Sequence, residues 1–128
     1  MKFLLDTQLL LWAAGFPEKL SKNARTLINN SENELFFSAA SLWEVVIKSS
    51  LRKSDFQVDP RLLRRGLVDN GYYELPITSD HVIAVNDLPP VHKDPFDRIL
   101  IAQSIMEGIM LVTTDTLMAR YSGPIKKV

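Results

Sequence analysis

The chain contains no cysteine, which excludes disulfides, thiolate zinc sites and cysteine nucleophiles. It has only two histidines, His81 and His92, and neither has a partner at the spacing of a zinc site. Net charge is also absent. The 15 Lys+Arg balance 15 Asp+Glu, so the broad electrostatic grip of a strongly basic nucleic-acid binder is missing. Positive charge is concentrated instead in Lys48, Arg52 and Lys53, in Arg61, Arg64 and Arg65, and in Lys126 and Lys127, each ordinarily a solvated face or tail. No segment approaches the roughly 18 apolar residues of a membrane span. The opening MKFLLDTQLLLWAAGF has the lysine and apolar run of a secretory leader, but Asp6 cuts the run and no small-residue cleavage site follows. The expectation is a soluble, unprocessed chain, and lack of cysteine fits a reducing cytoplasm. The chain also has no Walker-type glycine loop, no Gly-x-Ser-x-Gly elbow and no His-Glu-x-x-His.

What is present is enough apolar material for a core, 46% of 128 residues, and an alternation of short apolar runs with helical patterns. A single domain over 1–128 is expected. KFLLD reads as a buried strand, followed by a helix that Gly15 and Pro17 end. Ser21 caps a helix to about Asn30 with Ala24, Leu27 and Ile28 on one face. ELFFS is a second strand. In the helix after it, Leu42, Val45, Val46 and Leu51 share a stripe expected to face the core. A polar loop over 52–59 leads to a helix opened by Pro60 and closed by Gly71. YYELPI is a third strand, SDHVIAVNDL a helix stopped by Pro89 and Pro90, and PFDRILIAQSIME a helix ended by Gly108. IMLVTT is a strongly apolar strand, TLMARY a short helix, and PIKKV an edge strand. Alternation of this kind predicts a three-layer α/β/α sandwich around a mainly parallel sheet, with ligands beyond the carboxyl ends of the strands.

Carboxylates gather at those places. Asp6 and Asp115 end strands, Asp94 and Asp97 open a helix, and Glu44 lies about two turns into the helix after the second strand. Carboxylates forced together repel one another unless a cation intervenes. Mg²⁺ takes oxygen ligands, and such a centre polarises a phosphodiester and supplies an activated water. Each acid also has an ordinary structural reading. Asp94 before Pro95 is a good N-cap, Asp97 suits the positive helix end, and Asp6 and Asp115 are strand-to-helix caps. Ser41 and Glu44 have capping-box spacing, although Ser38 is the better cap of that helix.

Four blocks resemble, in order, those of VapC-type PIN domains: LLDTQLLLW at Leu4 to Trp12, SAASLWEVVIK at Ser38 to Lys48, HKDPFDRILIAQS at His92 to Ser104, and TTD at Thr113 to Asp115. The resemblance implies a parallel α/β/α sandwich, dependence on Mg²⁺ or Mn²⁺, and endonucleolytic cleavage of RNA to 5′-phosphate and 3′-hydroxyl ends. It implies the toxin half of a type II VapBC toxin–antitoxin pair, with a VapB-like antitoxin as partner and a homodimer as the usual assembly. By position, Asp6, Glu44, Asp97 and Asp115 match the family's four acidic ligands. Asp94 takes a capping or supporting role, and the hydroxyls of Thr7 and Thr114 are expected to help orient the site. Gln8 stands where relatives often carry histidine and Ser104 where alanine is common, and neither departure removes a ligand. An antitoxin arginine reaching the acidic groove is implied too. The apolar surface of Leu9 to Ala14 or of Val45 to Leu51 is expected to serve the dimer.

The remaining conspicuous residues read as structural. Trp12 and Trp43 lie on apolar helix faces as core or interface, and Arg98 is expected to pair with a carboxylate. A signalling receiver domain is also a small α/β fold with an acidic Mg²⁺ pocket, but it needs a lysine ending a late strand beside a phosphoacceptor aspartate, and the late strand IMLVTT ends in Asp115 instead. The alternative that remains is a non-catalytic PIN-like module binding RNA or protein, although loss of an acidic ligand would mark it and all four are present.

Overall fold

The computed structural model of the chain describes residues 1–51 and 58–128. The loop expected over 52–59 lies outside the described residues except at its last two positions, as do Arg52 and Lys53. The strands are β1 (Lys2–Leu5), β2 (Glu34–Ser38), β3 (Tyr73–Leu75), β4 (Met110–Thr113) and β5 (Ile125–Lys127). The helices are α1 (Thr7–Gly15), α2 (Lys22–Asn29), α3 (Ala39–Ser50), α4 (Pro60–Asp69), α5 (Ser79–Val85) and α6 (Pro95–Glu107). The short helix expected over TLMARY contracts to a 3-10 turn, Met118–Arg120, closed by a bond from the Tyr121 amide to the Met118 carbonyl. A second such turn, Pro17–Lys19, follows α1.

The sheet has the order β3-β2-β1-β4-β5, and every pairing is parallel. Strands covered on both faces carry apolar residues on both. Phe3 and Leu5 of β1 pack into one core with Leu9, Leu27, Phe37 and Leu67, while Leu4 points into the other with Leu100, Ile101 and Leu111. Two cores on opposite faces of one sheet make the expected three layers.

From β1 the chain first winds outward through β2 and β3, then returns to lay β4 on the opposite side of β1. The crevice at this reversal lies beyond the ends of β1 and β4, the place where parallel α/β sheets bind ligands.

One expectation about α3 is corrected. Val45 is buried and Leu42 half-buried, but Val46 and Leu51 are 45% and 63% exposed. The inward face is Ala40, Ser41, Glu44 and Val45. Polar anchoring explains the rotation. The Thr7 hydroxyl donates to Ser41 Oγ at 2.8 Å, and Glu44 is drawn into the crevice, so Val46 turns outward, while Leu51 lies past the end of the helix.

Candidate active site

The site is assembled from element ends. Asp6 follows β1 and caps α1, its Oδ1 accepting the Leu9 amide at 2.9 Å. Its Oδ2 accepts the Thr113 hydroxyl at 2.6 Å, a bond made available by the β1–β4 register, which pairs Leu5 with Val112 one step earlier. Asp94 caps α6 through the Phe96 and Asp97 amides, with Pro95 next in the first turn. Asp97 therefore projects from the opening turn of a well-anchored helix. Asp115 uses Oδ1 to accept the Leu117 and Met118 amides, which leaves Oδ2 facing His92 at 3.7 Å. Glu44 comes from the inward face of α3, and one of its oxygens accepts from Lys48 a turn later.

These side chains line one cleft of about 400 Å³, together with Thr7, Gln8, His92 and Thr114. A larger groove of about 680 Å³ between α1, α2 and α4 contains a single carboxylate, Glu18, in its lining. The acids converge in the smaller one.

Electrostatics there are strained. Burial holds the Asp6 carboxyl above its ordinary range, and Asp115 adds to the rise. The Thr113 hydroxyl and the Leu9 and Thr114 amides pull it back in part. The Asp97 carboxyl is pushed up to about 7, first by burial and then by Asp94 and Glu44, with His92 opposing. Burial works against the charge of Lys48, but Glu44, helped by Asp94 and Asp97, leaves its ammonium above the usual value. Glu44 is 5% exposed, and its Oε1 has no hydrogen-bond donor among the described residues. A buried carboxylate oxygen without a partner is costly. An orphaned oxygen within an oxygen-rich donor set fits a hard divalent cation.

The structure thus brings Asp6, Glu44, Asp97 and Asp115 to one place, with Asp94 beside them. The expected hydroxyl helpers behave differently. Thr7 spends its hydroxyl on Ser41, and the hydroxyl that reaches Asp6 belongs to Thr113, not Thr114. Thr113 also accepts the Asp115 amide at 2.9 Å and so ties two acids together. Three other positions were not singled out for this cleft. Lys48 read as part of a basic cluster, and only helical spacing from Glu44 hints at their pairing. Ser41 read as a cap. His92 has no zinc-type partner in sequence, yet its Nε2 lies 2.8 Å from Asp97 Oδ2.

Arg98 is a correction. It donates to the carbonyls of Val85, Leu88, Pro89 and His92 and to the Tyr121 hydroxyl, with no carboxylate among these partners. It fastens the loop after α5 onto α6. His81, buried at the start of α5, completes a capping box with Thr78 and reaches Glu107 at 2.9 Å, far from the acids in role.

The PIN domain family model matches residues 3–124, nearly the whole chain and all four acids. The chain belongs to the PIN domain family. The family resemblance carried by the four sequence blocks and this match agree. No curated protein shows a significant sequence match to this PIN domain. Among solved structures, it is similar to a chain of VapBC2 from Rickettsia felis bound to a DNA fragment from their promoter. That likeness has a TM-score of 0.69 and 17% identity, covering 99% of this chain and 98% of that one. It is similar to the same extent to a chain of the DNA-bound VapBC of Salmonella typhimurium, with a TM-score of 0.69, 16% identity, and 99% and 98% coverage. At such identities the likeness is one of fold, and the expected α/β sandwich is the fold found.

Proposed function

We propose that this PIN domain, a single unit over residues 1–128, is a metal-dependent endoribonuclease that hydrolyses RNA phosphodiester bonds. We propose further that it is the toxin of a VapBC-type toxin–antitoxin pair. The observation that carries the reading is the buried Glu44 oxygen without a donor, set in a cleft with Asp6, Asp97 and Asp115 at the reversal point of the sheet. Similarity to chains of two VapBC complexes supports the toxin part.

Asp6, Glu44, Asp97 and Asp115 are the residues that would hold one or two Mg²⁺ or Mn²⁺ ions. Bound there, such ions polarise a phosphodiester and lower the pKa of water towards about 7. The chain's own contribution is preorganisation. Thr113 and the Leu9 amide fix both oxygens of Asp6, Asp94 sets the first turn of α6 under Asp97, and Lys48 orients Glu44. Gln8 is exposed on the rim of the cleft, where an incoming RNA strand would meet it.

A VapB-like antitoxin would be recognised by the same acids, through an arginine presented to the carboxylates. A homodimer would use α3 and the residue that follows it, where Trp43, Val46, Ile47 and Leu51 are exposed, rather than Leu9 and Leu10, which lie in the core. A cytoplasmic location belongs to the same proposal. Among the described residues, no helix is long and apolar enough to cross a membrane.

The test is cleavage of a mixed RNA pool by antitoxin-free protein with Mg²⁺, with Mn²⁺ and with EDTA, beside Asp6→Asn and Asp97→Asn. The expected result is cutting that needs the metal and falls by at least about 100-fold in either variant. Absence of cutting by folded wild type would replace the reading with a non-catalytic binding module. Cutting by both variants would place the chemistry elsewhere.

A further inference from the structure

His92 is built into the carboxylate cleft more firmly than its place in a proline-flanked loop suggests. Its amide donates to the Tyr121 hydroxyl at 2.8 Å. Its carbonyl accepts from that hydroxyl at 3.3 Å and from Arg98 at 3.2 Å. Backbone held at both ends leaves the ring little choice of position. Nε2 rests 2.8 Å from Asp97 Oδ2 and 3.7 Å from Asp115 Oδ2, two acids that come from different elements. One ligand atom each from His92, Asp97 and Asp115 lie within 4.8 Å of one another.

Those spacings match a shared cation. Ligands about 2.1 Å from one ion and at right angles are about 3.0 Å apart, and opposite ligands about 4.2 Å. The nitrogen-to-oxygen distances of 2.8 and 3.7 Å fall in or near that range. Without a cation, a 2.8 Å contact between a ring nitrogen and a carboxylate oxygen has to hold a proton. A divalent ion takes the place of that proton, and binding releases it. Glu44 lines the same cleft, and its buried Oε1, without a donor among the described residues, is an independent sign that a cation belongs there.

We propose that His92 Nε2 is a direct ligand of the metal centre, beside Asp97 and Asp115, and that the centre takes first-row transition ions in preference to Mg²⁺. The inference rests on the metal-centre reading above and adds to it a nitrogen donor and a selectivity. Mg²⁺ prefers oxygen ligands and gains little from imidazole, whereas affinity for a mixed nitrogen and oxygen site rises along the transition series from Mn²⁺. A histidine that only orients Asp97 would leave the cation's own surroundings entirely oxygen, with a weaker preference and no nitrogen on the ion.

The test uses the full chain stripped of metal and titrated with Mn²⁺ or Mg²⁺, as wild type and His92→Gln. Free Mn²⁺ is followed by its electron paramagnetic resonance signal, Mg²⁺ by calorimetry, and the bound Mn²⁺ is examined for ¹⁴N coupling by pulsed resonance. Expected are Mn²⁺ binding at least about tenfold tighter than Mg²⁺ in wild type and a nitrogen coupling on the bound ion. Loss of that coupling and of at least about tenfold in Mn²⁺ affinity is expected in His92→Gln, with Mg²⁺ affinity changed much less. Mn²⁺ bound by wild type without nitrogen coupling would overturn the His92 assignment and leave the carboxylate centre standing. Failure of wild type to bind either ion would overturn both. The wild-type spectrum decides the assignment even if the variant does not fold.

Discussion

Asp6, Asp94 and Asp115 show how one carboxylate serves structure and chemistry together. Each spends one oxygen on the amides that open a helix or turn, and for Asp115 the second oxygen faces the cleft. Capping therefore does not compete with a catalytic role; it aims the acid. Asp97 carries a direct consequence for stability. Its carboxyl titrates near 7 in the folded chain against about 3.8 when free. Between those values the folded state holds a proton that the unfolded state has released, so stability falls as pH rises. Denaturant melts in EDTA are expected to show stability present below about pH 4 and lost progressively through pH 7, with a flatter profile in Asp97→Asn. Thr113 gives a second prediction. Its buried hydroxyl is the donor to Asp6 Oδ2, and Thr113→Val leaves that oxygen without it. A loss of about 1–3 kcal/mol is expected from chemical denaturation.

The ends of the elements explain why the site is rigid. Helix α6 begins with the Asp94 cap and Pro95 and ends at Gly108, whose φ of 66° is left-handed. No atom crowds a Cβ placed there, so Gly108→Ala is expected to cost about 1 kcal/mol from backbone strain alone, and Gly108→Asn less, by thermal melts. Helix α3 is fixed at its start by Ser38, which caps Ala40 and donates to Gln103 of α6 at 2.6 Å. That cross-link joins the helix bearing Glu44 to the helix bearing Asp97. Arg98 anchors the loop carrying His92 through four carbonyls and a hydroxyl. Replacing it by lysine removes the planar fork that reaches them together. Arg98→Lys is expected to destabilise the chain by about 1–3 kcal/mol and to loosen His92, seen as faster amide exchange at Leu88, Val91 and His92.

At the scale of the molecule, two apolar layers enclose a parallel sheet whose strand order, among the described residues, reverses between β1 and β4. Asp6, Glu44, Asp97 and Asp115 come from four different stretches of chain, so the cleft exists only when both layers have closed. The outer face of α3 remains apolar, with Trp43 57% exposed against Phe96 at a ring distance of 5.1 Å. In the proposed dimer this face is the contact. Val46→Glu is expected to shift light-scattering mass from dimer to monomer without changing the far-ultraviolet dichroism, whereas a monomeric wild type would remove α3 from that role.

Much of this is legible in the sequence. Periodicity and turn residues set out five strands and seven helices in order, and all but the last helix, which is a 3-10 turn, are found, because apolar spacing, caps and glycine stops act locally. The acids at strand ends and at the Asp94-Pro95 helix start could be found for the same reason. The strand order could not, since nothing in a strand's own residues says which neighbour it will join. Nor could the face of α3, where the Ser41 and Glu44 contacts override the apolar stripe, or the carbonyl partners of Arg98. Thr113 and His92 show the limit most clearly. Their neighbours Thr114 and Lys93 have the same local character in sequence, and only the β1–β4 register and the Tyr121 and Arg98 clamp select which side chain meets the acids. Local chemistry determined the elements and the candidate ligands, whereas contacts between residues up to 107 positions apart decided how the site is finished.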